Sequence, residues 1–121
     1  MFARLGRWLR AAGYDTRIAL GDESDRALVL TAEREGRLLI TRDRQILTIR
    51  RAPAATLVLP HGDLDACAAE LSRRLRLDWR HDPFSRCVLC NVALEPAGPE
   101  LGGRFAEASL DGRRKVTVCP A

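Results

Sequence analysis

Asp43 is the residue whose position in this sequence best suits chemistry at a bound metal ion. It follows an uninterrupted apolar run at residues 38–40, which predicts a short strand buried on both faces. A carboxylate just beyond the carboxyl end of a parallel strand lies where open α/β sheets bind their ligands. Thr41 or Asp43 could also simply cap the helix that follows, and from this stretch alone capping is the simpler interpretation.

A second carboxylate, Asp25, lies at the start of the preceding predicted helix. Parallel-sheet topology can bring Asp25 and Asp43 to the same rim of a sheet. Carboxylates at such a rim would bind Mg²⁺ or Mn²⁺, ions that prefer oxygen ligands and that activate water for attack on a phosphodiester. Arg42 and Arg44, on either side of Asp43, could offset carboxylate repulsion or hold a phosphate group.

The cysteines suggest a different metal. Cys87 and Cys90 form a Cys-x-x-Cys pair that presents two thiolates from one tight turn, which is half of a tetrahedral zinc site. Cys119 resembles the first member of a second pair; its partner would follow residue 121, and water or His81 is the alternative fourth ligand within the sequence. A redox pair is the other interpretation, but this pair does not follow a strand and open a helix. Cys67 lies on the apolar stripe of a predicted helix and is expected in the core.

Hydrophobic periodicity predicts the elements that would position these side chains. Helices are expected at residues 2–12, 25–35, about 43–51 and from a cap at Asp63, and strands at 15–20, 38–40 and 55–59. Such alternation predicts a three-layer α/β domain with a parallel sheet and flanking helices. Because a helix opens the chain, one further strand is expected ahead of it.

The composition changes at residue 82, which predicts one domain at residues 1–81 and a second at 82–121. The second segment is short and rich in Pro and Gly, so it needs a cross-link or a metal to hold it together. The acids and bases from residue 82 onward balance, so the net charge of +4 lies entirely in the first segment.

Positive charge in the first segment suits an attraction for nucleic acid. Arg4, Arg7 and Arg10 recur three residues apart on the first helix; such a stripe is usually a solvated face, and contact with RNA is the alternative. No apolar run reaches membrane-spanning length and no signal-peptide pattern opens the chain, so a cytoplasmic protein is expected.

In order and spacing, four segments resemble the Mut-7 C-terminal RNase domain family: residues 5–16 (LGRWLRAAGYDT), 24–25 (SD), 35–43 (EGRLLITRD) and 82–91 (DPFSRCVLCN). The resemblance covers essentially the whole chain. It implies a PIN-like fold joined to a zinc ribbon, and a metal-dependent ribonuclease that acts on RNA.

The resemblance also implies roles for individual residues. Asp43 and Asp25 fall on acidic residues of the metal site, with Thr41 orienting Asp43, and the zinc ligands fall on Cys87, Cys90 and Cys119. Family members carry another strand ending in an aspartate before the segment that matches the first residues here, and a fourth cysteine after the ribbon. Neither residue lies within these 121 residues. A non-catalytic RNA- or protein-binding module with a structural zinc ribbon is therefore the alternative function, and the sequence does not indicate an oligomeric state.

Overall fold

The computed structural model describes residues 2–98 and 117–120, which form two compact units. The first unit contains Phe2 and Ile18–Leu77. The second contains Ala3–Arg17 together with residues 78–98 and 117–120. The predicted domain division at residue 82 stays a prediction.

Both units contain short regular elements. In chain order these are helix α1 (Phe2–Ala11), helix α2 (Asp25–Glu35), strand β1 (Leu39–Thr41), a 3-10 helix (Arg44–Thr48), helix α3 (Ala52–Ala55), strand β2 (Thr56–Val58), helix α4 (Leu64–Leu75), strand β3 (Glu95–Pro96) and strand β4 (Thr117–Val118). The chain is therefore a mixed α/β protein with a small parallel sheet and several helices, as far as the described residues show.

Helices α2 and α4 begin where the sequence predicts. A capping side chain just before each helix determines its first residue. The Ser24 hydroxyl accepts a hydrogen bond from the Ala27 amide at 3.2 Å, and the Asp63 carboxylate accepts one from the Ala66 amide at 2.8 Å. Both side chains satisfy amides that have no partner within the first helical turn. Gly36 ends α2 with a left-handed φ of 64°, the conformation that favours glycine at a helix C-terminus.

Strands β1 and β2 pair in parallel, with Leu39 opposite Thr56 and Thr41 opposite Val58. The prediction that the apolar run is buried on both faces was wrong. Leu38 precedes the strand and is 44% exposed, and the three strand residues are only half-buried. Within residues 2–98 and 117–120 this sheet has two strands, too few to cover both faces and both edges of β1. The three-layer PIN-like sheet stays a prediction.

The predicted strand at residues 15–20 was wrong: that segment is irregular. Side chains bind the backbone groups of Thr16 that a sheet ladder would need. Its amide donates to the Asn91 side chain at 3.0 Å, and its carbonyl accepts from Arg10 at 2.7 Å. Leu20 is 88% exposed, so the apolar run there did not indicate burial.

The single helix predicted at about 43–51 was also wrong. The 3-10 helix ends at Thr48, and Arg51 adopts a φ of 87° before α3 begins. A residue with that φ cannot continue a right-handed helix. Pro53 lies inside the first turn of α3, where its missing amide breaks no helical hydrogen bond.

The core of the first unit includes Val29, Ile46 and Ala52, with Leu39 and Ile49 packed against them. Cys67 on α4 is 1% exposed, which confirms that it is a core residue. In the part of the chain that the structure describes, no helix is both long enough and apolar enough to cross a membrane.

Candidate functional site

Asp43 lies two residues beyond β1, and hydrogen bonds fix its position. One carboxylate oxygen accepts from the Gln45 amide at 2.8 Å, so Asp43 caps the 3-10 helix. The Asp43 amide donates to the Thr41 hydroxyl at 3.0 Å. The side chain of Asp43 is exposed, so a rigid backbone presents a carboxylate to solvent at the carboxyl end of a parallel strand.

Arg42 is half-buried and has several contacts within the first unit. Its Nη2 donates to the Gly62 carbonyl in the loop after β2 and lies 3.7 Å from the Cys67 sulfur. Its guanidinium also lies over the Phe2 ring, 5.5 Å from the ring centroid. These contacts hold a positive charge at the carboxyl ends of both parallel strands.

The other predicted acid and substrate-side residues lie on the surface. Asp25 is the first residue of α2, directly after the Ser24 cap, and it is exposed. Arg44 begins the 3-10 helix, Arg7 lies on α1, and both side chains are exposed. Among the described residues, Asp25 and Asp43 do not belong to any group of three or more potential metal ligands. Their metal-binding role stays a prediction.

The three predicted zinc cysteines lie together. The sulfur atoms of Cys87, Cys90 and Cys119 are all within 4.8 Å of one another, and those of Cys90 and Cys119 are 3.4 Å apart. Zn–S bonds of about 2.3 Å in a tetrahedron place neighbouring sulfurs about 3.8 Å apart. The spacing and the soft thiolate chemistry fit zinc, so this cluster could hold such a metal. His81 is not part of the cluster; its ring stacks on Tyr14, with the centroids 4.8 Å apart.

Backbone hydrogen bonds build the turn that carries the first two cysteines. The Cys87 amide donates to the Val92 carbonyl at 2.8 Å, and the Asn91 amide donates to the Cys87 carbonyl at 2.9 Å. Asn91 has a φ of 70°, a left-handed conformation that reverses the chain after Cys90. Antiparallel pairing of β3 with β4, in which Glu95 faces Val118, then leads the chain into Cys119.

The same turn favours the thiolate form of Cys87. Backbone N–H groups of Cys90 and Leu89 donate to its sulfur and, with smaller effects from the Cys90 and Cys119 thiols, lower the pKa of Cys87 to about 7 against an opposing effect of burial. A thiolate is the form that binds a metal.

Arg10, part of the predicted solvated stripe, was placed wrongly. Its side chain is 6% exposed, whereas Arg4 and Arg7 are exposed. Its Nη1 donates to the carbonyls of Val88 and Leu89, at 3.0 and 2.7 Å, in the turn between the first two cysteines. The one sequence signal was that Arg10 directly follows Leu9, a residue of the predicted apolar face.

Asn91 is the second residue whose role the sequence did not reveal. Its side-chain oxygen accepts from the Thr16 amide at 3.0 Å, and its side-chain nitrogen donates to the Asp15 carboxylate at 2.6 Å. Arg10 and Asn91 together join the cysteine turn to residues 3–17. Nothing in the spacing of the cysteines indicates these contacts, because they depend on tertiary structure.

Comparison with known families identifies one match, described as the Mut7-C RNAse domain, over residues 1–121. Neither a search of curated proteins nor a search of solved structures gave a significant match. The match spans the whole chain, the predicted resemblance is confirmed, and the thiol cluster is consistent with a zinc ribbon. The chain belongs to the Mut7-C RNAse domain family.

Proposed function

We propose that this protein is a ribonuclease that hydrolyses phosphodiester bonds with the help of Mg²⁺ or Mn²⁺ held by Asp43 and Asp25. Family membership indicates a ribonuclease-type function and an RNA substrate. The observation that carries the metal-dependent part is the position of Asp43, exposed at the carboxyl end of β1 and fixed through Thr41. Ligands of open α/β sheets bind at that edge.

The cap role of Asp43 is compatible with metal binding. One of its oxygens accepts from the Gln45 amide, and a carboxylate has further acceptor sites on its second oxygen. The bond from the Asp43 amide to the Thr41 hydroxyl limits backbone motion at this position. In this proposal Thr41 orients the carboxylate, and an ion held there would activate water and stabilise charge on the phosphate.

Three arginines are proposed on the substrate side. Arg44 and Arg7 are exposed, so each can contact a phosphate with little desolvation. Arg42 donates a hydrogen bond to the Gly62 carbonyl, so its positive charge is held next to Asp43 before any substrate binds. Arginine suits such contacts because its planar fork can bind two phosphate oxygens at once.

We further propose that Cys87, Cys90 and Cys119 hold a structural zinc ion, with residues 1–81 forming the PIN-like nuclease domain and residues 82–121 forming the ribbon. The proximity of the three sulfurs supports this proposal. A metal assay on the full-length protein is expected to find one zinc per chain, and an assay that finds no zinc would contradict the ribbon.

The test of catalysis is the cleavage of labelled RNA by the full-length protein with Mn²⁺ or Mg²⁺. The Asp43→Asn variant keeps the cap, because asparagine caps helices about as well as aspartate, but it removes the charge. We expect cleavage to fall by about 100-fold or more, comparable with the loss of one preorganised electrostatic group. Asp78→Asn is the matched control, since the Asp78 carboxylate accepts from the amide two residues on at 2.9 Å, as Asp43 does. Equal cleavage by both variants would refute the assignment.

The alternative is a non-catalytic RNA- or protein-binding module. The exposed arginines of α1 and the positive first segment favour it. RNA binding that weakens steeply as salt rises, without any cleavage in Mn²⁺, would support this function over catalysis.

A further inference from the structure

We propose that Arg10 is a positioning residue for the cysteine site, because its guanidinium holds two peptide groups of the turn between Cys87 and Cys90. The inference rests on the proposed metal role of the cysteines. It assigns to the first helix a direct part in shaping that site.

The geometry follows from the covalent structure of the peptide group. The Val88 carbonyl and the Leu89 amide belong to one peptide group, and the Leu89 carbonyl and the Cys90 amide belong to the next. In a trans peptide the C=O and the N–H point in opposite directions. Arg10 Nη1 binds both carbonyls, at 3.0 and 2.7 Å, so the Leu89 and Cys90 amides point away from the guanidinium. Arg10 therefore holds two of the three peptide groups that link Cys87 to Cys90.

The positive charge of Arg10 polarises the two peptide groups that it binds. Hydrogen bonds that share a peptide group polarise one another, so a donor at the carbonyl strengthens the bond that the amide makes. The guanidinium is buried, and its hydrogen bonds within the described chain go to the Val88, Leu89 and Thr16 carbonyls. A buried cation is costly without compensation. Three thiolates around a divalent zinc carry a net charge of −1, so a loaded site would compensate Arg10 through the two aligned peptide dipoles.

Neighbouring residues hold Arg10 at this place. Its Nε donates to the Thr16 carbonyl at 2.7 Å, and the Thr16 amide donates to the Asn91 side chain at 3.0 Å. The segment after α1 thus connects Arg10 with the residue that follows Cys90. Groups of this kind, one shell outside the ligands, typically change metal affinity by 10- to 100-fold when they are altered.

The experiment is a zinc competition titration of the full-length protein against a chelator of known affinity. Arg10→Lys keeps the positive charge near the helix C-terminus but loses the planar group whose Nε binds the Thr16 carbonyl while Nη1 binds the Val88 and Leu89 carbonyls. We expect its zinc affinity to fall by about 10- to 100-fold, and that of Arg10→Met to fall at least as far. Arg4→Lys, the matched change at an exposed arginine of the same helix, should leave zinc affinity unchanged.

A spectroscopic readout separates positioning from general stability. With Co²⁺ at saturation in place of zinc, the thiolate-to-cobalt charge-transfer band should shift in Arg10→Lys, because a cysteine turn that Arg10 no longer holds changes the arrangement of the thiolates around the metal. The band of Arg4→Lys should not move. Zinc affinity equal to that of the unaltered protein, together with an unchanged band, in Arg10→Lys would overturn the inference. Failure of Arg10→Lys to fold in saturating zinc would also overturn it, because Arg10 would then be required for folding in general. If the unaltered protein bound no zinc, the metal proposal itself would fail.

Discussion

Gly13 offers the sharpest test of how α1 joins the cysteine-containing segment. It has a φ of 99°, a conformation that residues with a Cβ rarely adopt. A Cβ built on Gly13 would lie 2.4 Å from the Asp82 carbonyl oxygen and 2.8 Å from the Asp82 Cβ. Nearby, the Asp82 amide donates to the Ala12 carbonyl at 2.9 Å, and the Phe84 amide donates to the Ala11 carbonyl at 2.9 Å. Residues 82–84 thus cap the C-terminal end of α1, and only glycine leaves room for them.

The magnitude of Gly13→Ala has two parts. Forcing an alanine into a left-handed conformation costs about 1–2 kcal/mol. Relieving the contact with backbone atoms of Asp82 adds about 1–3 kcal/mol, because a well-packed backbone must shift. We therefore expect a loss of about 2–5 kcal/mol in the free energy of unfolding, a large share of the stability of a small domain.

Gly21→Ala is the matched control, because Gly21 has a similar φ of 89° and no atom within 4 Å of its built Cβ. Urea unfolding of both variants, analysed at a common m-value, separates the strain from the contact. The difference between the variants should be about 1–3 kcal/mol, with Gly13→Ala the less stable. Equal stability would refute the close approach of residue 82 to Gly13.

Three further predictions concern single side chains. Asn91→Gly can adopt the φ of 70° but loses the side-chain hydrogen bonds of Asn91, so its zinc binding should be weaker in the chelator titration. Asn91→Ala also carries a Cβ at that positive φ, so it should be less stable than Asn91→Gly by about 1 kcal/mol in urea unfolding. In the metal-free protein, alkylation of Cys87 should rise through about pH 7 as its thiolate forms, whereas Cys67, 1% exposed, should stay unmodified by mass spectrometry. Hydrogen bonds from Arg73 and Arg74 of α4 lower the pKa of Glu70 in the folded protein below its usual 4.5. The ionised carboxylate therefore stabilises the fold above pH 4.5, and this stabilisation is lost as the pH falls through the lowered pKa of the folded state. Glu70→Gln should therefore have a lower midpoint of thermal unfolding than the unaltered protein near pH 7 and a similar one at about pH 2.

Local chemistry explains what the sequence could predict. Ser24 and Asp63 cap their helices through bonds to amides three residues on, so the start of each helix follows from a few adjacent residues. The Cys-x-x-Cys spacing likewise specifies a turn by itself. The approach of Cys119 depends on the pairing of β3 with β4, so the sequence indicated this ligand only as the first member of an expected second pair.

Tertiary contacts explain what could not be predicted. Arg10 is positively charged and belongs to the arginine stripe of α1, yet its side chain is buried and donates hydrogen bonds to three backbone carbonyls. Thr16 lies in an apolar-rich run, but side chains bind its backbone groups and no strand forms. In both cases one or more partners lie 75–79 residues away along the chain, beyond the window that a periodicity argument uses.

The most direct test of the central claim is a Mn²⁺ titration of single-turnover RNA cleavage by the full-length protein at constant zinc. The rate should rise with Mn²⁺ and saturate, and Ca²⁺ should not substitute well, since it is larger and accepts looser coordination. Asp43→Asn should need far more Mn²⁺ or show no cleavage. Cleavage that is independent of Mn²⁺ and Mg²⁺, or a Mn²⁺ dependence identical in Asp43→Asn, would contradict a metal-dependent ribonuclease site at Asp43.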